Sequence, residues 1–270
     1  AVLRIFVSAL GRPIIATAIT FGALFVNALG NWVLVFGHFG MPALGLHGSA
    51  ISSVITSALI LLAYVVVIQS DRRLRRYRLF GNWWRSEWSR FFEMLRIGTP
   101  ISLTILAEAG LFTGAAFLMG RIGEAQLAGH TIALQVAALA FQIPFGIAQA
   151  ATIRVGLAYG ARDHRGIGLA GYASLALGIG FMGFTATLMW LFPSLVLSIY
   201  VDVDAARNAA LVGFALQFLV VAAAFQLFDG AQAVAAGVLR GLQDTRTPMI
   251  IAICGYWIAG YGTAIYLGFW

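Results

Sequence analysis

Long apolar runs separated by short polar or Gly/Pro-bearing stretches set the pattern of this 270-residue chain. A run of about twenty apolar residues is long enough to cross the hydrocarbon core of a bilayer as a helix. The pattern predicts a helix tail over 1–10 and complete spans over about 13–36, 46–69, 97–120, 127–158, 166–191, 208–239 and 249–269. Pro13 suits a first helical turn, where its missing N–H has no partner to lose. Pro144, inside the fourth span, predicts a kink. The second span opens with Gly48, Ser49, Ala50, Ser52 and Ser53, small residues that let helices approach closely.

The most polar stretch lies between the second and third spans. Five arginines fall between Arg72 and Arg78, and Trp84, Trp88, Phe91, Phe92 and Leu95 then recur at helical spacing opposite Arg85, Glu87 and Arg90. That pattern predicts an interfacial amphipathic helix in a linker at 71–95.

Composition adds that this is a polytopic membrane protein rather than a soluble one, with 61% hydrophobic and 10% charged residues. A net charge of +7 carried by 17 arginines and no lysine does not signal a nucleic-acid partner, because the arginines sit at span ends and in one loop. With 71–96 on the cytoplasmic side, fifteen arginines lie inside, and only Arg121 and Arg207 lie outside with Glu124, Asp202 and Asp204. This is a strong positive-inside bias. Cys254, the only cysteine, permits neither an intrachain disulfide nor a thiolate metal site. The opening AVLR enters apolar sequence directly, and a piece of a longer protein is the expectation.

Two acids interrupt the apolar runs: Glu108 in ISLTILAEAGLF and Asp229 in FQLFDGAQAVAAG. Glu108 lies 12 residues from the inner-end Arg96 and Asp229 lies 11 from Arg240. At about 1.5 Å per residue both are near the bilayer midplane. No basic residue is expected at that depth. A carboxylate in hydrocarbon costs about 2.5 to 3.5 kcal/mol on insertion scales and usually marks an ion or substrate path. Without a countercharge such a pair must be protonated, hold a cation, or switch between the two. Sodium would need further oxygens, for which Ser102, Thr104 and Thr113 are near in sequence.

Nothing reads as enzyme chemistry or as a resident cofactor: His38, His47, His130 and His164 lie in loops or at span ends, and no HExxH, GxSxG or P-loop spacing occurs. A short internal echo, Leu3-Arg4 with LGRPIIA against Leu239-Arg240 with TPMIIA, fits a duplicated transporter with a midplane site.

Four segments carry a family resemblance: VNALGNWVLVFGHFGMPALGLHGSA, ISLTILAEAGLF, AGHTIALQVAALAFQIPFGIAQAATIRVG and FDGAQAVAAGVLRGLQDTRTPM. They resemble the multidrug and toxic compound extrusion (MATE) family, in its NorM-like branch, across essentially the whole chain. The resemblance implies an all-α, two-lobe transmembrane bundle of twelve spans around a V-shaped cavity. Residues 1–70 would be the end of the N-terminal lobe, 71–95 the linker, and 96–270 spans seven to eleven of the C-terminal lobe. It further implies that Glu108 and Asp229 form a cation site where Na⁺ or H⁺ drives export of organic cations across a bacterial inner membrane. Asn27 and Asn31 match polar residues lining the first lobe. Thr131 and Gln135 stand where the family carries Gln and Asn, and Phe225 stands where it often carries Tyr, which removes a hydroxyl near the site. A monomer with membrane lipid as its surroundings is expected. A lipid-linked precursor flippase of the same plan is the alternative, but it would need basic cavity residues, and none is expected at midplane depth.

Overall fold

A computed structural model describes residues 2–269 apart from 41, 78, 80, 82–86 and 204, with the side chain of residue 269 also left out. Arg78, Trp84, Arg85, Asp204 and Trp270 therefore lie outside the described residues. Among the described residues every regular element is a helix. Seven of the helical segments are long and apolar enough to cross a membrane, so the chain is an integral, multi-pass, all-α membrane protein. It divides into two compact units, 1–87 and 88–270.

The first unit contains α1 (Val2–Ala9), α2 (Pro13–Phe36), α3 (Leu46–Ser70) and the single turn α4 (Arg72–Arg75). Pro13 occupies the first turn of α2, and Gly37 closes the helix in the left-handed region (φ 76°), its N–H returning to the Val33 carbonyl. Gly48 of α3 lies so close to the Leu34 carbonyl that any Cβ there would collide, so this small residue does set the α2–α3 approach. Ser52 beside it is buried, whereas Ala50 and Ser53 are exposed. Asp71 closes the unit at one end: its carboxylate accepts from the Arg73 N–H at 2.9 Å and pairs with Arg12 at 2.9 Å. Val7, Ala16, Tyr64, Ile68 and Leu74 form the core beneath.

The second unit runs through α5 (Trp88–Ile122), α6 (Glu124–Gly160), α7 (His164–Leu191), α8 (Pro193–Ser198), α9 (Ala209–Gly241), α10 (Arg246–Ile253), a π-helical segment (Cys254–Tyr261) and α11 (Gly262–Phe269). A 3₁₀ turn, Ala206–Asn208, leads into α9. Here the chain departs from its sequence pattern. Trp88 to Leu95, which the sequence pattern assigns to a helix of the linker, are the first turns of α5 itself, and Pro100 sits inside that helix. Proline forfeits one backbone hydrogen bond while its φ remains helical, so one residue need not end a 35-residue helix. Trp88, Phe91, Phe92 and Leu95 are all exposed there.

Helices α6, α7 and α9 pack together around Val136, Ala186, Met189, Leu197, Ala215, Leu219 and Ala223. Gly237 of α9 touches the α6 backbone: a Cβ there would stand 2.5 Å from the Ala148 carbonyl oxygen. Trp190 of α7 ties in by donating from Nε1 to the Val220 carbonyl at 3.1 Å. On the other side of the unit, α5 packs against α10 and the π segment. The turn between α9 and α10 is held by Asp244, whose carboxylate accepts the N–H groups of Arg246 (3.2 Å) and Thr247 (3.1 Å).

Candidate functional site around Glu108 and Asp229

Glu108 occurs in the middle of α5, on the turn that meets the last helical segments. Its neighbour Ala107 is buried in a cluster with Ala252 and Tyr256, and Leu111 packs on the same cluster. Two glycines extend this contact along α5: a Cβ at Gly110 would come within 2.8 Å of the Trp257 ring, and one at Gly114 within 2.6 Å of the Tyr261 ring. Small residues at 107, 110 and 114 thus make a groove for the aromatic side chains of the π segment. Residues five apart share a face in a π-helix, which is why Tyr256 and Tyr261 can both be turned towards α5.

Asp229 belongs to α9, the helix anchored on α6 and α7. The helices carrying the two acids do not pack closely on each other. Side chains bridge the space instead. Phe112 of α5 meets Phe225 of α9 edge to face, ring centroids 6.2 Å apart, and Gln232 of α9 donates from Nε2 to the Tyr256 hydroxyl oxygen at 2.8 Å. Glu108 and Asp229 are close enough to act on each other electrostatically, and both act on Tyr256.

Neither carboxyl group has a hydrogen bond or an ion pair among the described residues, although both are partly buried. No third His, Cys, Asp or Glu joins them among the described residues. A cation held here would therefore take its remaining ligands from neutral oxygens. Arg240, in the last turn of α9, acts electrostatically on Glu108 without forming an ion pair with it among the described residues.

The other residues singled out in the sequence divide between the units. Thr131 and Gln135 lie on an exposed face of α6; the Thr131 hydroxyl donates to the Leu127 carbonyl at 2.8 Å, and neither side chain bonds to the acids. Thr104 is buried with its hydroxyl on the Pro100 carbonyl at 2.9 Å, whereas Ser102 and Thr113 are exposed. In the first unit Asn31 donates to Asn27 Oδ1 at 3.1 Å, Asn27 donates to Thr56 Oγ1 at 3.3 Å, and Thr56 donates to the Ser52 carbonyl at 2.8 Å. Asn31 and Asn27 therefore begin a polar chain between α2 and α3 that ends at the Ser52 carbonyl, and Asn31 Oδ1, at its start, is without a partner among the described residues. A cavity of about 580 Å³ at the foot of α3 is lined by Gln69, Arg72, Arg75 and Arg76.

Three residues that matter here escaped the sequence reading. Gln232 follows Asp229 by one turn and carried a readable signal, a second polar residue on the same face. Tyr256 carried none, because a tyrosine in IAICGYWIAGY reads as one more apolar position. Gln226 is 1% exposed and neither amide atom has a partner among the described residues. Of the histidines, only His130 is notable, half-buried against Phe218 with its Nε2 unbonded.

Residues 100–265 match the family model MatE. The chain is 46% identical over 268 residues to "Probable multidrug resistance protein NorM" of Mesorhizobium japonicum, covering 99% of this chain and 57% of that protein. It is 43% identical, with the same coverage, to the protein of that name in Brucella suis. It is 37% identical over 267 residues to "Multidrug resistance protein NorM" of Burkholderia vietnamiensis, again covering 99% of this chain and 57% of that protein. The chain thus spans just over half the length of these relatives.

Proposed function

Because the chain belongs to the MatE family, we propose that it acts within a multidrug exporter of the cytoplasmic membrane, one that couples entry of Na⁺ or H⁺ to extrusion of organic cations. Glu108 and Asp229 are the coupling residues. The observation that carries this reading is the pair itself: two partly buried carboxyl groups from different helices, electrostatically coupled and bonded to nothing else. Burying such groups is worthwhile to a membrane protein when their charge is used. Ionised, they hold a cation at a place where hydrocarbon excludes water; protonated, or filled by a cation, they release the site to its other conformation. A cationic drug and the coupling ion then compete for one negative locus, which links their movements in opposite directions. This is transport chemistry, with no bond made or broken in the cargo.

The test is dye efflux from cells or proteoliposomes holding the full-length protein. Glu108→Gln and Asp229→Asn should each abolish gradient-driven efflux while the protein still reaches the membrane. Wild-type efflux in both variants would end the proposal. Imposing the sodium and proton gradients separately assigns the ion.

A further inference from the structure

We infer that Tyr256, held by Gln232, is a third polar member of the Glu108–Asp229 site: its hydroxyl, with its hydrogen still to be donated, supplies the hydrogen bond that one of the carboxylates takes up as the site turns to receive its cation. The inference rests on the function proposed above. It goes further in naming a residue on a helix that carries no acid.

Tyr256 is buried (7% exposed) between the two acid-bearing helices. Its ring packs with Ala107, the residue next to Glu108, and its oxygen accepts from Gln232, which lies one helical turn past Asp229. Gln232 uses a lone pair of that oxygen, so the phenolic hydrogen remains to be donated. Among the described residues nothing accepts it, while the two acids that act on Tyr256 both lack a donor. A buried O–H without an acceptor and buried carboxylates without a donor, within one cluster, are complementary needs.

The backbone supplies an independent argument. The only π-helical segment among the described residues runs from Cys254 to Tyr261, and Tyr256 is its one buried residue. A π-turn gives up regular helix geometry to place a side chain where an α-helix would not, and such turns are frequent at functional sites. Here it turns Tyr256 towards α5 while Trp257 and Tyr261 fill the groove at Gly110 and Gly114. Phe225, the aromatic residue of α9 that reaches α5 through Phe112, offers no oxygen. Tyr256 does.

Tyr256 is thus a positioning residue, and its signature is a loss of cation affinity rather than of turnover. In the full-length protein, Tyr256→Phe should raise the concentration of coupling ion giving half-maximal efflux about tenfold, the effect of one hydrogen bond to a charged group. Efflux at saturating ion should stay within about twofold of wild type. Gln232→Leu should shift the half-maximal concentration in the same direction, and the double variant should shift it no further than Tyr256→Phe alone, since both act through one hydroxyl. An unchanged half-maximal concentration in Tyr256→Phe, or additive shifts in the double variant, would overturn the inference. Should Tyr256→Phe fail to fold, Gln232→Leu and Gln232→Glu decide it: an ion dependence like wild type in both overturns it. Glu108→Gln and Asp229→Asn run alongside. If these remain active, the parent reading fails; if they are dead and Tyr256→Phe is unaltered, only the present inference does.

Discussion

The hydroxyl of Thr152 on α6 lies 2.8 Å from the carbonyl oxygen of Gly237 on α9 and 2.9 Å from the Ala148 carbonyl of its own helix. One hydrogen thus serves two helices where their backbones nearly touch. This contact lies two turns beyond Asp229 on α9, and it sets where that helix stands. In a bilayer, close packing of small residues does what the hydrophobic effect does in water.

Filling this contact should therefore be costly. Gly237→Val places side-chain carbon against the Ala148 carbonyl and should destabilise the second unit by about 1 to 3 kcal/mol. Gly180→Ala, at a position with open space beyond it, should change little. Thermal unfolding in detergent checks both, and equal stability of the two variants would refute the packing argument.

In the first unit, Thr56→Val removes the acceptor of the Asn27 amide and leaves a half-buried donor without that partner. Hydrogen bonds between transmembrane helices are worth about 0.6 to 2 kcal/mol. The variant should unfold at a lower temperature, and Thr17→Val, whose exposed hydroxyl only returns to its own helix at Pro13, should not.

Arg240 predicts an effect of opposite sign to that of the acids. It is partly buried and acts on Glu108, so it opposes a cation at the site. Arg240→Gln should lower the coupling-ion concentration giving half-maximal efflux, as measured in the assay used for Tyr256. A rise would mean that the guanidinium supports the site instead.

Asp244 provides a pH test outside the spans. Bonds from Thr247, with a smaller one from the Arg246 N–H, hold its carboxyl below the usual aspartate range. A depressed folded value means that the ionised group stabilises the fold at any pH above the unfolded value, and that this contribution disappears as pH falls through the lower, folded value. Asp244→Ala should therefore melt below the parent at neutral pH, and the gap should close under strongly acidic conditions. A gap that persisted there would assign the effect to something other than charge.

Most of the fold was open to reading because a transmembrane helix writes its length and its caps into local sequence. Seven apolar runs became the seven spans, and Pro13 and Gly37 terminate α2 as their types demand. The start of α5 was not open to reading, because Pro100 and the aromatic-basic pattern before it suit an interfacial helix and a continuous one equally; only packing decides. Glu108 and Asp229 were visible because charge in an apolar run is conspicuous. Tyr256 was hidden by the reverse logic: its polar atom is a single hydroxyl on an apolar body, and the π-turn that aims it has no residue signature. Arg240 was visible as a topology marker, and its electrostatic action on Glu108 is a relationship between two helices, which counting along one helix omits.

The π segment also fixes a phase. An α-helix advances about 1.5 Å and about 100° per residue. A stretch wound with a residue to spare must pass that residue on if it ever becomes regular. Rewinding Cys254–Tyr261 as α-helix would screw α11 forward by one such step and swing Tyr256 away from the α5 groove. The last helix and the tyrosine are thus geared together, and the register of residues 262–269 reports which way Tyr256 points.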